Sequence, residues 1–215
     1  MFLGHFAVAF ATKRFAPKTS LWLLMFAAQF LDILWAVLVI FDAEHLRISP
    51  GITRVCPIDF YDFPLSHSLP MVLTWGVGFG LIYFMATNQV KVSWILGGLV
   101  VSNWILDVVV HRPDLLVFGE GRYWGLGLWN SLPGTLLVEG GLFAAGVWIY
   151  RISTKAKDEA GQFGFYGLIV FILALYIAPF LFPLPSNPLV VAFAAQVILI
   201  VLLWAFWLDD HRKAA

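Results

Sequence analysis

LWLLMFAAQFLDILWAVLVIF, residues 21–41, is an apolar run broken only by one amide, Gln29, and one carboxylate, Asp32. As a helix it covers about 32 Å, enough to cross the ~30 Å hydrocarbon core of a bilayer. A charge at that depth costs roughly 2.5–3.5 kcal/mol on insertion scales, so an intramembrane Asp pairs, binds something or faces a cavity. The stretch therefore predicts a spanning helix that carries part of a polar site.

Windows of the same kind recur at Leu69–Thr87, Val92–Val110, Pro133–Tyr150, Phe163–Phe182 and Leu189–Leu208, which makes six spans. Tight connections at Asn88–Lys91 and Pro183–Pro188 make neighbouring spans antiparallel, with Pro183, Pro185 and Pro188 ending one helix and starting the next. Upstream, Met1–Ala11 is apolar but too short to cross. Lys13, Arg14 and Lys18 follow it, the reverse of the charge order of a signal peptide. It is expected to be a short helix that stays in the mature protein and packs inside the bundle. No internal repeat stands out, so residues 1–215 are read as one transmembrane domain, its polar site mostly within 1–150 and two generic spans within 163–208. The expected fold class is all-α: a polytopic membrane helix bundle of six transmembrane helices plus the N-terminal helix. Gly97-Gly98 and Gly140-Gly141 are expected to let helices approach closely.

Composition agrees, since 61% hydrophobic against 12% charged residues and a mean hydropathy of +0.87 exclude an ordinary soluble domain. Formal net charge is zero and no basic run is interleaved with aromatics, which argues against a nucleic-acid partner. The expected partners are membrane lipids and, for a chain acting as a subunit, other membrane proteins. A lone cysteine, Cys56, can form neither an internal disulfide nor a thiolate zinc or iron–sulfur site.

Lys13, Arg14, Lys18, Lys91, Arg151, Lys155, Lys157, Arg212 and Lys213 fall on one side of a six-span chain, and Arg47, Arg54, Arg112 and Arg122 on the other. The charge bias makes the first side cytoplasmic. The expected setting is a bacterial inner membrane, with the N-terminal basic segment and the C-terminus inside. Asp42, Glu44, Cys56, Asp59, Asp62, Asp114 and Glu120 then belong to the outer loops.

With this topology, His5, Asp32, His67, Asp107, His111 and Glu139 all fall in one slab, from near the middle of the membrane, where His5 lies, to its outer face. Asn103, Asp107 and His111 at i, i+4 and i+8 share one side of a helix, and Thr135 and Glu139 repeat the i, i+4 relation on the next span. Imidazole and carboxylate without thiolate suit a hydrolytic divalent ion, zinc first and manganese or iron as alternatives. Such an ion lowers the pKa of a bound water and polarises a phosphoryl or carbonyl oxygen. Each residue also has a plainer reading: His5 as a hydrogen-bonded interior histidine, His67 as an interfacial cap, and Arg112 as a counter-ion or a shaper of the outer loop. The carboxylates are harder to explain without a proton or a cation.

Several motifs carry a resemblance. They are Gly4-His5 before a small apolar helix, Gln29-Phe30-Leu31-Asp32, Ser66-His67-Ser68, Ser102-Asn103-Trp104-Ile105-Leu106-Asp107 running into His111-Arg112-Pro113-Asp114, and Gly125-Leu126-Gly127-Leu128-Trp129-Asn130-Ser131 before Glu139. Together they resemble the bacterial integral-membrane proteins grouped as membrane-bound metal-dependent hydrolases, the YdjM-like group. The resemblance covers about the first two-thirds of the chain and implies a metal-site fold and a hydrolase. The order His, Asp, His, Asp, His, Glu is also similar to the ligand order of zinc-dependent phospholipase C, an analogy of pattern. In the YdjM-like group the position of Asn103 is commonly His. Asparagine there predicts either a lost ligand or a hydrogen-bonding group that orients Asp107 or His111.

Three functions follow. The first is a membrane hydrolase in which His5, Asp32, His67, Asp107, His111 and Glu139 hold divalent metal, with Asp32, Asp107 and Glu139 in catalytic roles. Arg112 would bind the anionic group of a phospholipid-like or other amphipathic ester or phosphoester at the outer face. The second is a non-catalytic subunit or scaffold that keeps a degenerate site, in line with Asn103. A proton- or ion-coupled transporter is the third, disfavoured by the absence of repeats.

Overall fold

The computed structural model describes residues 1–118 and 121–215; Glu120, assigned above to an outer loop, lies outside the described residues. In chain order the helices are α1 (Phe2–Thr12), α2 (Leu21–Ile40), the one-turn α3 (Pro64–His67), α4 (Leu69–Thr87), α5 (Val90–Val110), α6 (Leu132–Ser153), α7 (Glu159–Leu181), α8 (Pro188–Ala195) and α9 (Ile198–His211). Helices α2, α4, α5, α6, α7 and the α8–α9 pair are each long and apolar enough to cross a membrane. The chain is an all-α helical bundle and a multi-pass integral membrane protein. Its span surfaces bear this out: Val77, Ile82, Leu137, Val170 and Leu203 are each at least 65% exposed, an apolar girdle that water would not tolerate.

Lipid tails are as apolar as the helices, so close packing and polar contacts hold such a bundle together. Gly97 on α5 faces Gly76 and Gly80 on α4, and a Cβ at Gly97 would come 2.6 Å from the Gly76 carbonyl oxygen. On α6, Gly146 lies against the Ala7 backbone of α1. Gly98, Gly140 and Gly141, also expected at close approaches, are bordered by open space: a Cβ at any of them would meet nothing within 4 Å. They face outward.

Helix ends follow the residues that can satisfy free backbone groups. Ser131 accepts from Gly134 N–H at 3.2 Å to start α6, and Asp158 accepts from Gly161 N–H at 2.7 Å to start α7. Asn88, at φ 55°, ends α4 in the left-handed region. Proline lies in the first turn of α3, α4, α6 and α8, where no backbone donor is lost. The final span breaks at Gln196–Val197, and Gln196 Nε2 donates to the Ile33 carbonyl at 3.3 Å.

Among the described residues, three two-stranded antiparallel pairs close the ends: β1 (His45–Ile48) with β2 (Ile58–Asp62), β3 (Leu115–Leu116) with β4 (Tyr123–Trp124), and β5 (Thr154–Ala156) with β6 (Arg212–Ala214). The first two sit among the longer loops. The third ties the C-terminal segment to the end of α6, beside Lys13 and Arg14.

Candidate metal centre

Helix α1 enters the bundle from the basic end and stops inside it, against α2 and α6. Its first turn therefore delivers Met1 and His5 to the interior. Asp32 comes from the middle of α2, His67 from α3, Asp107 and His111 from the end of α5, and Glu139 from the second turn of α6. All six line a cavity of about 410 Å³. His5, His67, Asp107, His111 and Glu139 are buried, while the Asp32 side chain keeps 27% exposure.

Three of these residues, His5, Asp32 and Asp107, form a tight set, and His67 approaches the other oxygen of each carboxylate. His5 Nε2 lies 3.2 Å from Asp107 Oδ1 and 3.7 Å from Asp32 Oδ2. His67 Nε2 lies 3.6 Å from Asp107 Oδ2 and 3.9 Å from Asp32 Oδ1. Bonds of ~2.0–2.1 Å in tetrahedral geometry put ligand atoms roughly 3.3 Å apart, so the spacing suits a small divalent cation. Single donor atoms of His5, Asp32 and Asp107 all fall within 4.8 Å of one another. A cationic group already sits among these donors, because the Met1 ammonium pairs with Asp107 and lies 3.1 Å from His5 Nε2.

Hydrogen bonds fix the tautomers. Ser66 Oγ gives its one proton to Glu44 Oε2 at 2.6 Å, so at 2.7 Å from His67 Nδ1 it accepts. Nδ1 then carries the hydrogen and Nε2 faces the carboxylates as a lone pair. Burial pushes the His67 imidazole down to about 4, with Asp107 and Asp32 partly opposing it, so the ring is neutral near pH 7, as a ligand must be. His111 Nδ1 lies 2.9 Å from Asp114 Oδ1, which gives that ring the same tautomer. The ring itself is wedged against Phe60 and Trp129. Glu139 Oε2 accepts from Leu3 N–H at 2.9 Å, at the positive end of α1.

The placement corrects the sequence reading in two respects. Arg112 is not on the cavity wall; its guanidinium pairs with Asp59 and Asp114 and braces the outer loops. Asn103 Nδ2 donates to Asp32 Oδ2 at 2.7 Å and to the Ala28 carbonyl at 3.0 Å. Position 103 thus orients Asp32, a residue of another helix, and neither Asp107 nor His111. Glu44 keeps its place in the loop after α2 but is fully buried beneath Ser66, where burial raises its carboxyl pKa and the Ser66 hydrogen bonds oppose the shift. Asp114 was also missed as a partner of His111, although its i+3 spacing within the His111-Arg112-Pro113-Asp114 turn was a usable signal.

Away from the polar set, the cavity wall is apolar: Leu175, Pro179 and Phe180 from α7, Val191 from α8, and Val197 and Ile198 at the start of α9. Compared with protein-family models, with curated proteins and with solved structures, the chain matches none.

Proposed function

We propose that this chain is an integral-membrane, metal-dependent hydrolase that acts on a phospholipid-like or other amphipathic ester or phosphoester at the outer face of a bacterial inner membrane. One observation carries the reading: one imidazole and two carboxylates from three helices, His5, Asp32 and Asp107, converge at ligand spacing, with the His67 imidazole on the other side of the same carboxylates, at a cavity whose far wall is largely apolar. His5, Asp32, His67 and Asp107 would hold the ion, with zinc best suited to the nitrogen and oxygen donors. A divalent ion there supplies Lewis acidity and lowers the pKa of water. Ser66 and Glu44 hold the His67 ring in position, Asn103 holds Asp32, and Asp114 holds His111. Glu139, on the neighbouring wall, is the candidate proton acceptor. The apolar wall takes the hydrocarbon part of the substrate, and membrane lipids are the natural source. The resemblance to YdjM-like membrane hydrolases points the same way.

A different observation favours a second reading. Met1 pairs with Asp107 and Asn103 with Asp32, so both carboxylates are satisfied within the chain, as in a non-catalytic subunit that keeps the cluster as interhelical glue.

Elemental analysis of protein purified without chelator separates the two. The hydrolase reading expects stoichiometric divalent metal in the parent and its loss in folded Asp107→Ala. A folded parent that carries none would leave the subunit reading.

A further inference from the structure

The cavity beside the polar cluster has a closed side and an open one. Its roof on the loop side is the segment 55–58 with Phe60 and Trp129, all half-buried and all on the wall. Hydrogen bonds staple that roof down. The N–H groups of Arg54 and Val55 both donate to the Trp129 carbonyl at 3.1 Å, and Ser49 N–H donates to the Pro57 carbonyl at 2.7 Å. Thr53 Oγ1 donates to the Cys56 carbonyl at 2.7 Å and accepts from Cys56 N–H at 2.9 Å. A route from water through this roof has to part them.

The opposite wall has no such ties. Helix α8 packs on α2 and β1, whereas α7 packs on α9 and α1, and among the described residues no hydrogen bond joins α7 to α8. On the cavity side α7 carries Ala178 and Pro179, and α8 carries Ala194 and Ala195. Among the described wall residues, Pro179, Phe180, Pro185 and Ala194 are exposed and the rest are buried or half-buried. All four belong to α7, α8 or their connection. The mouth of the cavity lies there.

Pro179 stands two residues before the end of α7 and Ala194 six after the start of α8, about 3 and 9 Å inside those ends. Both lie within spanning segments, flanked by exposed Ile177, Leu181, Val190 and Phe193. In a bilayer such a surface meets hydrocarbon chains. Inside the cavity, the Asp32 side chain keeps 27% exposure, so a group that enters reaches a carboxylate. A volume of about 410 Å³ is near the small end for a ligand pocket. It takes one chain with a polar end and leaves no room for a second chain.

We infer that the cavity is a lateral site for a single hydrocarbon chain: a membrane amphiphile enters sideways between α7 and α8, its chain lying through the mouth at Pro179, Phe180 and Ala194 and its polar end at Asp32. The inference deepens the proposed function and rests on it for the chemistry at that polar end and for the outer leaflet, but the passage itself needs no cation. It narrows the substrate to amphiphiles that reside in the bilayer.

The test is photolabelling of the full chain in phosphatidylcholine vesicles that carry a trace of lysophosphatidylcholine with a diazirine in its acyl chain. Adducts are mapped by mass spectrometry and metal content is measured in parallel. Expected are adducts at the buried wall residues Trp35, Val191 and Ile198 as well as at the lipid-facing Leu137 and Leu203. Ala194→Trp and, separately, Ala178→Trp fill the mouth at its lipid edge and should abolish the interior adducts while sparing those at Leu137 and Leu203. A parent labelled only at the outer positions, or interior adducts that persist in every folded variant, would overturn the inference. Interior labelling by a diazirine-bearing hexanol added from water, ahead of the lysolipid, would do the same and give the entrance to the loops. Interior labelling of a metal-free parent keeps the passage and defeats the hydrolase reading; metal in a parent without interior adducts does the reverse.

Discussion

Asn103 donates to Asp32 and to the Ala28 carbonyl from one amide nitrogen, so the side chain fixes a carboxylate, and it does not itself line the cavity. Its Oδ1 is buried without a partner among the described residues. Asn103→Leu, similar in volume, therefore removes the brace together with an unsatisfied acceptor, and the fold should tolerate it. Metal affinity is expected to fall about 10–100-fold, the usual effect of losing an outer-shell partner, as measured by competition with a chelating dye. An unchanged affinity would mean that Asp32 holds its position unaided or ligates nothing. Sequence spacing placed Asn103 on the face of Asp107 and His111. The structure shows that face turned toward α2 at the level of Asp32, a relation between helices that spacing along one helix cannot express.

Among the elements, α2 has an unusual start. Ser20 makes no side-chain cap, and the first-turn N–H groups of Leu21 and Trp22 donate instead to Asp209 of α9, at 2.8 and 3.2 Å. Lys13 Nζ lies 3.7 Å from the same carboxylate and donates to the Thr19 carbonyl. Burial lowers the lysine's pKa and Asp209 partly restores it. Asp209→Ala should cost about 1–2 kcal/mol, from a lost cap and a buried lysine deprived of its partner, read as thermal unfolding in detergent. Asp209→Asn keeps the acceptor and should recover most of the loss; equal damage from both would locate the effect in the charge. The spans themselves were legible because hydropathy is a property of each window alone. This cap was not, because its two halves lie 188 residues apart. Glu44 under Ser66 is hidden for the same reason, whereas the His111–Asp114 pair, three residues apart, was open to reading.

At the scale of the molecule, the charge bias proposes that the end bearing Lys13, Lys155 and Arg212 is cytoplasmic. Cys56, between the first two spans, is the obvious reporter of the opposite face by its place in the sequence, but it lines the cavity and burial pushes its thiol up to about 12. Little thiolate is present near neutral pH, and labelling there would be slow whatever the topology. Exposed Arg54 and Lys155 serve better. In a Cys56→Ala background, an impermeant maleimide should label Arg54→Cys in intact cells and Lys155→Cys only after lysis. The reverse pattern would invert the protein in the membrane and move the site to the inner leaflet.

The slot that receives α1 has a consequence for how the protein is made. Its wall at Gly146 belongs to α6, which begins 120 residues after α1 ends. At ~5–20 residues per second of synthesis, α1 waits on the order of 6–24 s for that wall. A segment too short to cross the bilayer must pass that interval at the interface or against α2, before the other side of its berth has been translated. The residue that would close the cation site is thus synthesised well before the wall that seats it, which would make ion capture a late event in the biogenesis of the chain.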